Sequence, residues 1–239
     1  LSLSFLGHGL ISLGLSPSYD LHYNLVQSIN FTNMPTHKIV EFQGWFDILI
    51  SLLLIIKFKL KSILYIVLIY LSIVCVAALT LYWNKTDSMF GIAECLRRFP
   101  WIFFSLYLLL DLKGIKKYHF IRVGLSFAFI AHGFASLGFL GLNQGHIDLA
   151  IKVVPIENAR NFVYCTGITD SIIGFMILQG IFTRYITIIG AVWISFIVYL
   201  SYLCAVPDAI FRTAFLIAAI YVFIDKRTYS PKLINYEKN

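Results

Sequence analysis

The chain has 239 residues, of which 59% are hydrophobic and only 13% are charged. Soluble domains carry about 25% charged residues, so the composition excludes a soluble globular enzyme. The net charge of +7 would suit a nucleic-acid-binding protein, but in a membrane protein it more often reflects lysine and arginine kept on the cytoplasmic side. We therefore expect an all-α integral membrane protein with many spans.

Apolar runs follow one another along the whole chain. A membrane-spanning helix needs about 20 apolar residues, and no run shows the alternation of a barrel strand. The chain begins with Leu1 inside an apolar run, so we expect its true start to be missing or processed. The runs predict eight transmembrane helices, over about 1–16, 39–57, 62–83, 95–112, 121–142, 162–181, 185–206 and 208–225.

The basic residues are unevenly divided between the two sides of this predicted bundle. Twelve of the 19 lysines and arginines fall on the side of the N-terminus, and the rest are spread over longer loops on the other side. The positive-inside rule then predicts that both termini are cytoplasmic, in a bacterial inner membrane. Topology accounts for the net charge, so the expected partners are the lipid bilayer and other membrane subunits, and not nucleic acid.

The sequence also contains an internal repeat. Residues 7–14 (GHGLISLG) match residues 131–138 (AHGFASLG), and two later matches keep the same order along the chain. These pair Gly44 and Asp47 with Gly167 and Asp170, and Arg98 and Asp111 with Arg212 and Asp225. The matches predict a tandem duplication into a first four-helix unit, 1–117, and a second, 118–239, with a short cytoplasmic tail.

An even number of spans returns the chain to its starting side. The two units are therefore predicted to be parallel repeats, related by an axis along the membrane normal. Each unit has a long outer loop between its first two spans, at about 17–38 and 143–161. Apolar residues at four-residue spacing suit an interfacial helix in each loop, and an ordinary polar loop is the alternative.

The second unit reads Gly167-Ile-Thr-Asp170, then an apolar run, then Gly180-Ile-Phe-Thr-Arg184-Tyr. This pattern resembles the second and third spans of DoxX-like membrane proteins, and the four-span unit also fits that family. The resemblance implies a role near quinol-oxidising or thiol-handling systems, with quinone as a conceivable cofactor. The chain departs from the family in its first spans, where His8 and His132, instead of a basic residue, stand beside glycine.

Ionisable residues at bilayer depth are costly, so each needs a partner or a purpose. The two aspartates lie roughly 12 Å below the outer ends of their spans, the two histidines lie at a similar depth, and the arginines begin the fourth spans. We expect one polar cluster per unit, facing the bundle interior: His8, Asp47 and Arg98 in the first, and His132, Asp170 and Arg212 in the second.

Three interpretations of these clusters remain open. They can lock the bundle by hydrogen bonds, they can bind a substrate or move protons, or His8 and His132 can ligate a haem as a symmetric pair. No other metal-ligand spacing and no catalytic residue is identified.

The sequence therefore favours an accessory or structural membrane subunit of a larger, redox-linked quinol or thiol complex. The alternative is a small-molecule or lipid transporter with a midplane polar site between the repeats. An enzyme that uses His132 and Asp170 as acid and base ranks last, because no nucleophile accompanies them.

Overall fold

The computed structural model describes residues 1–29, 33–84, 89–111, 118–139 and 144–225. Within these residues the chain is helical throughout and has no strand, which confirms the all-α class. The proposed boundary between 117 and 118 adjoins residues 112–117, which lie outside the described residues, as does the tail after 225. The helices are α1 (Ser2–Ser12), α2 (Tyr19–Ile29), α3 (Thr36–Ile55), α4 (Leu60–Asn84), α5 (Met89–Asp111), α6 (Tyr118–Ser136), α7 (Gln144–Ala150), α8 (Ile156–Gln179), α9 (Thr183–Cys204) and α10 (Val206–Ile224).

Each apolar run of the sequence coincides with one of the helices α1, α3, α4, α5, α6, α8, α9 and α10. The two outer loops contain the shorter helices α2 and α7. Proline marks two helix starts, since α3 and α8 begin directly after Pro35 and Pro155. Proline has a fixed φ and no N–H to donate, so it fits the start of a helix and not its interior.

The turns of the two halves have the same backbone conformation. Gly14 and Gly138 follow α1 and α6 with φ of 82° and 76°. Between α3 and α4, Lys57 has a φ of 55°, and Gly180, 123 positions later, has a φ of 78° in the turn between α8 and α9. The left-handed region costs a non-glycine residue roughly 1–2 kcal/mol, so Lys57 carries strain that Gly180 avoids.

Four helices in the described part of the chain are long and apolar enough to cross a membrane: Leu60–Thr80 within α4, and α8, α9 and α10. Only 28–39% of the most apolar stretch of each is buried inside the protein. Exposed side chains such as Ile69, Ile73 and Val192 would be unfavourable in water and are stable against lipid. The protein is therefore a membrane protein with several apolar helices.

The other four predicted spans also form helices, but they are not among the four that are long and apolar enough to cross a membrane in the described part of the chain. The shortest, α1, has 11 residues and is roughly 16 Å long, about half of a bilayer core. Eight membrane-spanning helices therefore remain a prediction.

Two apolar cores hold the helices together. In the first, Phe5, Ile50, Leu54 and Leu71 join α1, α3 and α4, with Trp101 from α5. In the second, Phe129, Ile173, Ile177 and Ile194 join α6, α8 and α9, with Val222 from α10. The first four residues of each core stand 123 or 124 positions apart, so the same positions of the two halves are buried.

The fourth helices of the two halves connect the cores. Helix α5 packs against α4 and also against α6, whereas α10 packs against α9 and also against α1. Trp101 on α5 lies 4.9 Å from the ring of Phe5 and 5.6 Å from that of Phe211 on α10. Towards the other end of the helices, the hydroxyls of Tyr107 and Tyr221 are 2.5 Å apart. The halves are thus packed into one bundle through α5 and α10.

Candidate functional site

His8 on α1 and Asp47 on α3 form a buried pair. The distance from Nδ1 to Oδ2 is 2.7 Å, and the two side chains are 4% and 0% exposed. The helices come this close because Gly9 and Gly44 face each other at the crossing. A Cβ on Gly9 would lie 2.8 Å from the carbonyl oxygen of Gly44, closer than real Cβ contacts. Small residues at a crossing let helix backbones approach.

His132 on α6 and Asp170 on α8 form the same pair in the second half. Nδ1 and Oδ2 are 2.6 Å apart, and the side chains are 29% and 3% exposed. Gly133 and Gly167 make this crossing, where a Cβ on Gly133 would lie 2.9 Å from the Gly167 carbonyl oxygen. The structure therefore brings together both of the histidine–aspartate pairs that the sequence predicts.

A second histidine, which the sequence analysis missed, completes each site. Ser12 Oγ is 2.8 Å from Nδ1 of His22 on α2, and Ser136 Oγ is 2.8 Å from Nδ1 of His146 on α7. The rings of His8 and His22 lie 4.2 Å apart, and those of His132 and His146 lie 4.3 Å apart. The outer-loop helices thus supply site residues. The repeat could have identified them, because His22 and His146 are 124 positions apart, as are His8 and His132.

Each aspartate also has an aromatic partner with a polar hydrogen, but the second oxygen, Oδ1, is bonded in Asp170 and has no hydrogen-bond partner among the described residues in Asp47. Trp193 Nε1 donates a hydrogen bond to Asp170 Oδ1 at 2.7 Å. Tyr70, 123 positions earlier, bonds the Asp47 carboxyl group and Gln43. Sequence comparison did not find this pair because tyrosine and tryptophan differ, although both present a polar hydrogen at the rim of an aromatic ring.

The arginines are arranged differently in the two halves. Arg98 is buried, its guanidinium lies 5.8 Å from the Trp101 ring, and its charge acts on Asp47, as expected. Arg212, in contrast, pairs with Asp208, with 3.7 Å between Nη1 and Oδ1. Asp208 is one helical turn away on α10, which makes it the nearer partner.

Asp208 also ties the two halves together. Its carboxylate accepts hydrogen bonds from the hydroxyls of Ser16 and Ser18, in the turn that follows α1, the latter at 2.8 Å. Asp208 thus binds two serine hydroxyls and the guanidinium of Arg212. The sequence did not identify this role, because the serines lie about 190 positions away.

His146 lies on α7, outside the long helices. Burial lowers the pKa of His146 well below its ordinary value, and the neighbouring His132, Arg97 and Arg212 lower it further, which favours the neutral imidazole. A neutral imidazole has one nitrogen that accepts and one that donates. His146 can therefore bond Ser136 and still offer its other nitrogen to a neighbour.

No cluster of metal ligands is found in the described part of the chain. No three His, Cys, Asp or Glu side chains in that part group as metal ligands would. His8 and His132 each bond an aspartate and stack on a histidine of their own half, and no ring contact joins them to each other in the described part of the chain. A cavity of about 30 Å³ lies beside His132, enough for a water or two. A haem or a quinone ring does not fit in it.

The comparison with known proteins gives one result. Residues 118–203, which include α6 to α9 and the whole second His–Asp pair, match the DoxX family model. Neither the curated proteins nor the solved structures gave a match to the chain. With its lipid-facing apolar helices and this match over residues 118–203, the protein is a membrane protein whose second half is DoxX-like.

Proposed function

We propose that the chain crosses the membrane eight times, as two four-span units, 1–117 and 118–239, that arose by tandem duplication. The agreement of turns, buried core positions and site residues at a constant separation of 123 or 124 supports this proposal. The short helix α1 fits the scheme as the counterpart of α6, which has 19 residues and carries the matching histidine, glycine and serine.

Both termini are then cytoplasmic, in a bacterial inner membrane, with α2 and α7 at the outer side. The excess of lysine and arginine on the inner side supports this orientation. A C-terminal green fluorescent protein fusion should fluoresce, and a C-terminal alkaline phosphatase fusion should be inactive. An active phosphatase fusion would contradict the orientation.

The function that the geometry supports best is that of an accessory subunit in a redox-linked quinol or thiol complex, in which the His–Asp sites take up and release protons. The observation that carries this proposal is the duplicated site itself. Each unit places an aspartate-bonded histidine against a serine-bonded histidine inside the bundle. Histidine is the side chain that changes charge near neutral pH, and a bonded carboxylate fixes its orientation and stabilises its charged form.

A relay role fits these sites better than catalysis within this chain. The serine hydroxyls at the sites bond His22 and His146, whose rings lie against those of His8 and His132, and neighbouring imidazoles suit proton transfer. The cavity beside His132 is too small for a quinone ring, so we assign the redox chemistry to a partner. A transporter with a site between the repeats ranks second, because each His–Asp pair is formed within one unit.

The test is purification of the tagged protein from its native membrane in mild detergent, followed by identification of bound chains. We expect one or more cofactor-containing oxidoreductase chains to co-purify in a fixed ratio. An unrelated multi-span protein with the same tag is the control for adventitious binding. A chain that purifies alone, without partners even after cross-linking in the membrane, would contradict the proposal.

A further inference from the structure

The two sites share the histidine–aspartate and serine–histidine hydrogen bonds but not the same access to solvent. The side chain of His8 is 4% exposed, whereas that of His132 is 29% exposed. In the first site, the edge of the Trp101 indole lies against His8, with 5.3 Å between ring centroids. The residue 114 positions later is Phe215, which packs on Phe104 instead. The second site therefore lacks an aromatic ring in the position that Trp101 occupies beside His8 in the first site.

The open side of the second site is the cavity of about 30 Å³ beside His132. Four polar side chains line it: His132, Ser136, His146 and Thr166. A buried water needs two to four polar partners and at least about 10–15 Å³. The cavity is large enough for one or two water molecules.

Two substitutions between the halves lie at the cavity. Ala150 of α7 stands where α2 has the buried Val26, 124 positions earlier. Thr166, which lines the cavity, stands where the first half has Gln43, whose side chain reaches Tyr70. Both positions carry the smaller residue in the second half. In the described part of the chain, helix α7 has 7 residues and α2 has 11, so fewer helical residues lie over the second site than over the first.

We propose that the second site is the more hydrated of the two, and that His132 exchanges protons with the outer side through the water held there. The use of this water in redox chemistry rests on the proposed function, but the presence of the water does not.

The test is radiolytic hydroxyl labelling of the full chain in lipid nanodiscs, with ¹⁸O-water as the probe. Radicals form where water is bound, so side chains beside a buried water are labelled at high rates. We expect His132, His146 and the cavity-lining Phe162 to be labelled severalfold faster than His8 and His22. Equal rates at the two sites in the wild-type protein would overturn the proposal, and this comparison needs no variant.

Exchanging the residues that differ between the two sites tests whether they form the cavity. The double variant Ala150→Val with Thr166→Gln fills the second cavity and should reduce labelling of His132 to the rate of His8. The matched variant Val26→Ala with Gln43→Thr should raise labelling of His8 severalfold. Unchanged labelling in both variants would refute the assignment of the cavity to these residues. Labelling is measured on the chain without partners. It can therefore refute the proposed water at the second site independently of co-purification, which tests the accessory role.

Discussion

Removal of the aspartate should cost more stability in the first site than in the second. The matched variants are Asp47→Ala and Asp170→Ala, which delete the same carboxylate from the same helical position of the two halves. Both variants remove a bond of 2.6–2.7 Å to a histidine. The two variants differ in whether water can replace the lost hydrogen bond to the histidine.

In the first site the carboxylate is lost from fully buried surroundings. His8 is almost completely buried, and Arg98, also buried, loses the negative charge of Asp47. Removing one partner of a buried ionic pair costs about 3–5 kcal/mol. Asp47→Ala should therefore lower the free energy of unfolding by about that amount.

In the second site water can take over part of the bonding. His132 is 29% exposed and lies beside the cavity, and Arg212 keeps its pairing with Asp208. The loss is then that of ordinary hydrogen bonds to His132 and Trp193, about 1–3 kcal/mol in total. The difference between the two variants is about 2 kcal/mol.

The free energies can be measured by reversible unfolding in mixed detergent micelles with increasing dodecyl sulfate. Ser195→Ala, on the exposed face of α9, is the control and should remain within about 0.5 kcal/mol of wild type. Equal losses in the two aspartate variants, or a larger loss for Asp170→Ala, would refute the reasoning that the first site is sealed and the second hydrated.

Three further predictions follow from the contacts. Gly167→Ala should lower the free energy of unfolding by about 1–3 kcal/mol, because its Cβ would lie 2.9 Å from the Leu137 backbone nitrogen; a wild-type unfolding curve would contradict the tight crossing. Tyr221→Phe should cost about 0.5–1.5 kcal/mol per bond lost, and a double-mutant cycle with Tyr107→Phe should show coupling and not additivity. Because the pKa of His146 is lowered in the folded protein, its contribution to stability is present above the unfolded pKa of about 6.5 and is lost as pH falls towards the folded value. His146→Gln should flatten this part of the stability–pH curve, and an unchanged curve would mean that His146 does not titrate as described.

The sequence predicted the helices well because apolar runs and their breaks follow directly from local composition. It also paired His8 with Asp47 and His132 with Asp170, because ionisable residues at equal depth in neighbouring helices have few other partners. These bonds are the part of the site that depth and periodicity determine.

The remainder of the site depends on tertiary packing. His22 and His146 reach the site only because α2 and α7 fold against the bundle, which hydropathy does not reveal. Arg212 pairs with Asp208 because a residue one turn away on the same helix is a nearer partner than one on another helix. The difference in exposure between the sites depends on a few side-chain volumes, such as that of Ala150, whose effect is visible only once the cavity is seen.

The most direct test of the account is the turnover of the purified complex, measured against pH, with Asp170→Asn and Asp47→Asn in matched preparations. Asparagine keeps the shape of aspartate but cannot stabilise a charged histidine. The account predicts that Asp170→Asn lowers turnover and shifts its pH profile, while the amount of assembled complex is retained. A pH profile identical to wild type in the Asp170→Asn complex would contradict the proton-relay role of the second site.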